Sequence, residues 1–163
     1  MTTEESAAHP DTGPGASPFT PDARGRRSFE EYVTAFNGGR IDRCLEYYDD
    51  AVEMVLPSAT LRGKAEIRGF YDTMFDRVQE TLDVHTLVAD EHGLAIDVTT
   101  RFLAKRDAPD LALGPLAEGE CYEGHYFILY RLRDGRIARI EAARRTPLKG
   151  PFRPGATPAT EAD

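Results

Sequence analysis

The sequence predicts an α+β domain in which three N-terminal helices pack on one face of a curved mixed or antiparallel sheet, and three observations carry that expectation. Apolar residues recur at helical spacing early in the chain, they alternate with polar ones later, and residues 120–145 read as one long β-hairpin. In that hairpin, positions 122–132 are rich in aromatic and branched side chains, Arg133-Asp134-Gly135 supplies turn chemistry, and Ile137, Ile140 and Ala142 resume the apolar pattern. A curved sheet under a few helices leaves a conical cavity, and such cavities are common ligand sites.

Residues 1–27 carry Pro10, Pro14, Pro18 and Pro21 among small residues, too little apolar surface to offset the entropy of ordering, so a disordered tail is expected there. Residues 148–163 read the same way, which leaves 28–147 as the folded domain. Ser28 and Glu31 fit a capping box that opens the first helix. Phe29, Tyr32, Val33 and Phe36 share one face of it, and Asn37-Gly38-Gly39 ends it. Ile41, Cys44, Leu45 and Tyr48 mark a second helix, and residues 51–56 a short strand closed by Pro57. A third helix starts near Lys64 and spaces Ile67, Phe70, Tyr71, Met74 and Val78 by threes and fours. Strands follow at 81–89 and 94–104, the latter alternating Ile96, Val98, Thr100 and Phe102 with Asp97, Thr99 and Arg101. A Pro- and Gly-containing loop, 105–119, leads to the hairpin.

A chain of 163 residues is most simply one domain with a real core. The net charge of −8 argues against a nucleic-acid groove or an anionic membrane surface as the main partner. Cys44 and Cys121 stand far apart without metal-ligand spacing, and read as buried thiols. No apolar run reaches the length of a membrane span, and the start of the chain lacks the order of a signal peptide, so a cytoplasmic location is expected. With no phosphate-cradling Gly loop, nucleotide fingerprint or metal cluster, neither cofactor nor metal is expected.

Three stretches resemble the nuclear-transport-factor-2-like superfamily: the segment around Asn37-Gly38-Gly39, the Gly63-Lys64-Ala65-Glu66-Ile67-Arg68 opening of the third helix, and the Arg133-Asp134-Gly135-Arg136-Ile137 turn. The resemblance spans about residues 28–147 and implies a cone-shaped fold. That superfamily includes ketosteroid isomerases, SnoaL-type polyketide cyclases, limonene epoxide hydrolase and scytalone dehydratase. The oxyanion-binding tyrosine of the isomerases matches Tyr32, in Tyr32-Val33-Thr34-Ala35-Phe36-Asn37-Gly38. Their two catalytic acids find no match, since the corresponding stretches hold Met54, Val55 and Leu56, and Phe127 and Ile128. One fold of this kind hosts many chemistries.

The candidate catalytic residues are therefore Tyr32, His125, Tyr126 and Glu53. Tyr32 would hydrogen-bond a carbonyl or developing enolate. His125 and Tyr126 are neighbours in one strand, so only one of them faces the cavity. An inward His125 would be the natural proton carrier, and an inward Tyr126 with Tyr130 would make the pocket aromatic instead. The turn register favours the second arrangement. Glu53 is the acid of the first strand, and alternation sets it opposite Met54 and Leu56. Phe36, Met54, Leu56, Phe70, Tyr71, Met74, Phe102, Ile128, Tyr130 and Ile140 read as cavity wall and substrate contacts. The implied activity is cofactor-independent isomerisation, cyclisation or dehydration of an apolar, oxygenated molecule, polyketide- or terpenoid-like, by a homodimer. The competing class is a non-catalytic small-molecule-binding or protein-interaction module of the same fold.

Overall fold

Asp22, not Ser28, starts the first helix, α1 (Ala23–Asn37), in a computed structural model that describes residues 18–155. The Asp22 carboxylate accepts from the backbone N–H groups of Arg24 and Gly25, at 3.0 and 3.2 Å. Ser28 lies buried a turn further in. The reason lies upstream. Phe19 is buried against Phe29, Tyr32 and Tyr47, and its N–H donates to the Gly135 carbonyl at 2.8 Å. That anchor holds the chain in place before the helix begins, and Gly25 lets it fold back, because a Cβ there would run into the Thr20 backbone. Residues 1–17 and 156–163, most of the two expected tails, lie outside the described residues.

A short α2 (Ile41–Leu45) leads into β1 (Tyr48–Val55), so Tyr48 opens a strand rather than closing a helix. After β2 (Thr60–Arg62), α3 (Gly63–Arg77) runs straight into β3 (Val78–Ala89). Val78 thus belongs to the strand, three residues earlier than its sequence pattern suggests. Then come β4 (Gly93–Ala104), β5 (Cys121–Arg133), β6 (Arg136–Arg144) and β7 (Lys149–Phe152). The β5–β6 turn has φ of 50° at Asp134 and 71° at Gly135, the paired left-handed residues that a tight hairpin needs.

The sheet order is β2-β1-β6-β5-β4-β3, with β7 added to β5. The β1–β6 pair is parallel and the other pairs are antiparallel, so the sheet is mixed. Irregularities in β1, β3 and β6 add local twist and bend it around the helices. The three helices pack against its inner face and leave the outer face open, an α+β cone. The main core joins α1, α2 and α3 to Leu82, Ile96, Val98, Tyr130 and Ile140. A second cluster, around Val78, Phe102, Leu116 and Tyr122, seats the loop before β5. No helix among the described residues is long and apolar enough to cross a membrane.

Candidate active site

Register fixes which side chains share the inner face. Cross-strand rows run Glu80–Phe102–Tyr122, Leu82–Thr100–Gly124, Val84–Val98–Tyr126–Arg144, and Leu94–Tyr130–Ile140–Met54. At the buried end of the cone, the Tyr32 hydroxyl of α1 shares a hydrogen bond with the Tyr48 hydroxyl at 3.0 Å. The Tyr130 ring stands edge-on to Tyr32, centroids 5.9 Å apart. Burial pushes all three phenols above their ordinary range, with neighbouring phenols adding to the effect on Tyr32 and Tyr130. Tyr71 of α3 is raised in the same way, by burial first and then by Glu80.

Glu80 is the acid of this face. It keeps a little solvent contact, yet the protein crowds it closely, and desolvation raises its carboxyl to about 8. Its charge is felt at Tyr48, Tyr71, Tyr126 and Tyr130, so the carboxyl and the phenols form one electrostatic unit. Near neutral pH every ionisable group of that unit holds its proton. The cluster is uncharged and rich in donors, suited to an oxygen on which negative charge develops.

Asn37 places the two halves of the cluster. β3 is the sheet edge beyond β4, with one side of its backbone unpaired. The Asn37 amide donates to the Leu82 carbonyl at 2.9 Å and accepts from the Leu82 N–H at 2.7 Å, mimicking a missing strand. This clamps the end of α1, which carries Tyr32, two residues from Glu80. The physical use of the Asn-Gly-Gly signature is this clamp.

Tyr126 faces inward and half-buried, beyond Gly124. A Cβ at Gly124 would stand 2.7 Å from the Tyr126 ring and 2.9 Å from Leu148, so glycine is what lets the ring lie across the strand. Phe36, Met54, Tyr71, Phe102, Tyr130 and Ile140 are buried, all on the helix side of the sheet, and Leu56, Phe70, Met74 and Ile128 are half-buried around it. His125 and Glu53 stand apart from this cluster, because strand parity turns both outward. The Thr99 hydroxyl bridges His85 Nε2, at 2.7 Å, and His125 Nδ1, at 3.1 Å, across the open face. Glu53 pairs with Arg139 and, at 3.4 Å, with Arg62. Neither shares the inner face with Tyr32, where Glu80 is the acid present.

Sequence reasoning passed over Glu80 and Tyr48. Both sit where a helix was extended or a strand begun late. A signal for Glu80 exists in the alternation Val78-Glu80-Leu82-Val84, which sets one acid in an apolar row once the strand starts at Val78. Cys44 of α2 is buried, its thiol pushed up to about 12 by desolvation, and Cys121 is buried at the start of β5. Neither is a nucleophile on these grounds. Among the described residues no group of three or more His, Cys, Asp or Glu is placed to hold a metal ion.

A curved mixed sheet closed on one face by three helices, with Tyr32 in the cone, defines a nuclear-transport-factor-2-like protein. More narrowly, residues 29–140 match the model of the SnoaL-like domain, and the chain belongs to that family. Among solved structures, it is similar to a candidate polyketide cyclase from a Silicibacter species, at 23% identity and a TM-score of 0.63, over 74% of this chain and 88% of that one. A candidate polyketide cyclase from Xanthomonas campestris aligns at 23% identity and a TM-score of 0.61, over 70% and 84%. An LEH-like epoxide hydrolase from M. tuberculosis aligns at 15% identity and a TM-score of 0.58, over 72% of this chain and 80% of that one. At such identities the likeness is one of fold. Comparison of the sequence with curated proteins finds no match.

Proposed function

We propose that the chain is a cofactor-independent enzyme that converts an apolar, oxygenated small molecule, polyketide- or terpenoid-like, by proton transfer, as an isomerase, cyclase or dehydratase. The observation that carries this reading is Glu80, a carboxyl raised to about 8 by desolvation and coupled to a buried set of phenols. Glu80 gives its proton to a substrate oxygen held by the Tyr32, Tyr48 and Tyr130 hydroxyls. Left as a carboxylate, it takes a proton from the carbon next to the activated group, so no net proton is gained or lost. One residue thus serves as acid and then base. The half-buried Phe70, Met74, Tyr126 and Ile128 orient the apolar body of the substrate and exclude water. The cyclase and hydrolase names of the structural neighbours point to the same substrate range.

The test is turnover of a panel of fused-ring hydroxy-ketones and epoxides by the wild type, Glu80→Gln and Tyr32→Phe. Turnover by the wild type that falls about 100-fold or more in Glu80→Gln supports the reading, the usual scale for a positioned acid or base. Turnover unaffected in both variants overturns it.

A second reading, a module that binds such a molecule without converting it, is favoured by one observation: Tyr32 is packed among Phe19, Phe29, Phe36 and Tyr47, with its hydroxyl already bonded to Tyr48. Binding without turnover across the panel would select it. We further propose a homodimer through the outer face, where Phe127 and Val88 remain 52% and 60% exposed. Phe127→Asp would then yield monomers in sedimentation.

A further inference from the structure

Arg144 ends β6 on the inner face, directly opposite Tyr126 in the sheet register. Its neighbour Arg145 points the other way, paired with Asp97 at 2.9 Å and laid over the Phe127 ring at 4.5 Å. Five other arginines of the sheet, Arg62, Arg101, Arg131, Arg133 and Arg139, also pair with carboxylates. Arg144 makes no ion pair among the described residues and is exposed. Glu80, its counterpart on the inner face, is shifted by desolvation alone, so the guanidinium charge is not spent on neutralising that acid.

The surroundings of Arg144 are nevertheless ordered. Tyr126 is held across Gly124 against Leu148, and the guanidinium lies near enough to its hydroxyl to favour the phenolate, while Glu80 opposes this from the other side. Tyr126 therefore stands between a guanidinium without a carboxylate partner among the described residues, at the exposed end of β6, and the raised carboxyl of Glu80. Ala142, the inward residue before Arg144, is exposed, which leaves the approach open. Glu80 and Arg144 are three strands apart and, by register, four residues apart along the strands, about 19 Å between their backbones at the usual spacings. The Arg144 side chain leans to the Tyr126 hydroxyl, whose ring lies across Gly124 toward the Glu80 row, and with the Glu80 side chain extended the other way the two functional groups would stand on the order of 10 Å apart.

We propose that Arg144, beside Tyr126, is the specificity residue that binds a carboxylate on the far end of the substrate, whose oxygenated end enters the tyrosine–Glu80 cluster. The substrate class is thus an apolar molecule about two fused rings long, with a hydroxyl or carbonyl at one end and a carboxylate at the other. A guanidinium fits that role because it stays charged and offers two parallel donors to one carboxylate. This deepens the proton-transfer reading and rests on it.

The experiment compares the affinities of 2-naphthol and 6-hydroxy-2-naphthoate by their own fluorescence, which the absence of tryptophan leaves clear. The charged probe is expected to bind about tenfold more tightly, the scale of one charge-assisted contact at an open site. Arg144→Gln should remove that advantage and leave 2-naphthol unchanged, Arg144→Lys should keep part of it, and the outward Arg145→Gln should keep all of it. Tyr32→Phe should weaken both probes alike. Equal affinity for the two probes, or an advantage that survives Arg144→Gln, overturns this proposal while the cluster reading stands. Binding of neither probe overturns both.

Discussion

On the outer face of the sheet, charge is met by charge. Arg101 pairs with Glu123, Arg145 with Asp97, and Arg139 with Glu53 and Glu141. Arg139, first through its hydrogen bond, and Arg131 hold the Glu141 carboxyl below the usual range. On the inner face Glu80 has no such partner among the described residues, and desolvation drives its carboxyl the opposite way, to about 8. Two glutamates of one sheet thus part company because of what faces them. The difference teaches that a polar face open to water favours the charged form of a carboxyl, whereas the enclosed face favours its protonated form.

The sharpest way to break this comparison is Glu80→Gln, which should abolish about 99% of turnover while the outward Glu53→Gln and His125→Ala leave it within about twofold. Loss of activity from the outer pair and not from Glu80 would invert the account. Activity should also follow the protonated carboxyl, flat at low pH and falling through about 8. Tyr32→Phe comes next, with an expected loss of about tenfold to 100-fold in kcat, as for other oxyanion donors.

Stability sharpens the comparison from another side. Asn37→Ala removes both bonds to the Leu82 backbone at the sheet edge and should cost about 2 kcal/mol in urea unfolding. The effect at Glu80 is pH-dependent. Its folded-state value near 8 lies above the ordinary 4.5, so between these pH values the folded chain holds a proton that the unfolded chain has released. Stability therefore falls as pH rises through that window. Glu80→Gln should be neutral near about pH 4 and stabilising by about 2 kcal/mol near about pH 9, less than the full linkage value because the carboxyl keeps some solvent contact. The smallest effect is expected at Thr99, where Thr99→Val breaks the His85–Thr99–His125 bridge and should change stability by about 1 kcal/mol without touching turnover.

The elements themselves were largely legible in the sequence, because periodicity reports burial directly. Phe29, Tyr32 and Phe36 announce α1, and Ile96, Val98, Thr100 and Phe102 announce the face of β4. Boundaries were harder to read. Val78 satisfies both the helical spacing of α3 and the alternation of β3, so its residue type alone cannot say where one period yields to the other. That ambiguity hid Glu80, two residues on. Tyr48 was obscured in the same way by the stripe of α2. Tyr32 was visible because a sequence motif surrounds it, while β2 and β7 are too short to carry a pattern. Arg144 was invisible as a site, since its meaning depends on what lies opposite it and on what fails to pair with it.

The central claim is that Glu80 keeps its proton at neutral pH, and a carboxyl-carbon NMR titration of the glutamate-labelled chain, with Glu80→Gln to assign the signal, tests it most directly. The account predicts a midpoint near 8 for that signal, with Glu141 titrating below the ordinary glutamate range. A Glu80 midpoint at the ordinary 4.5 would contradict it, because the inner face would then hold a carboxylate at neutral pH and no proton to give.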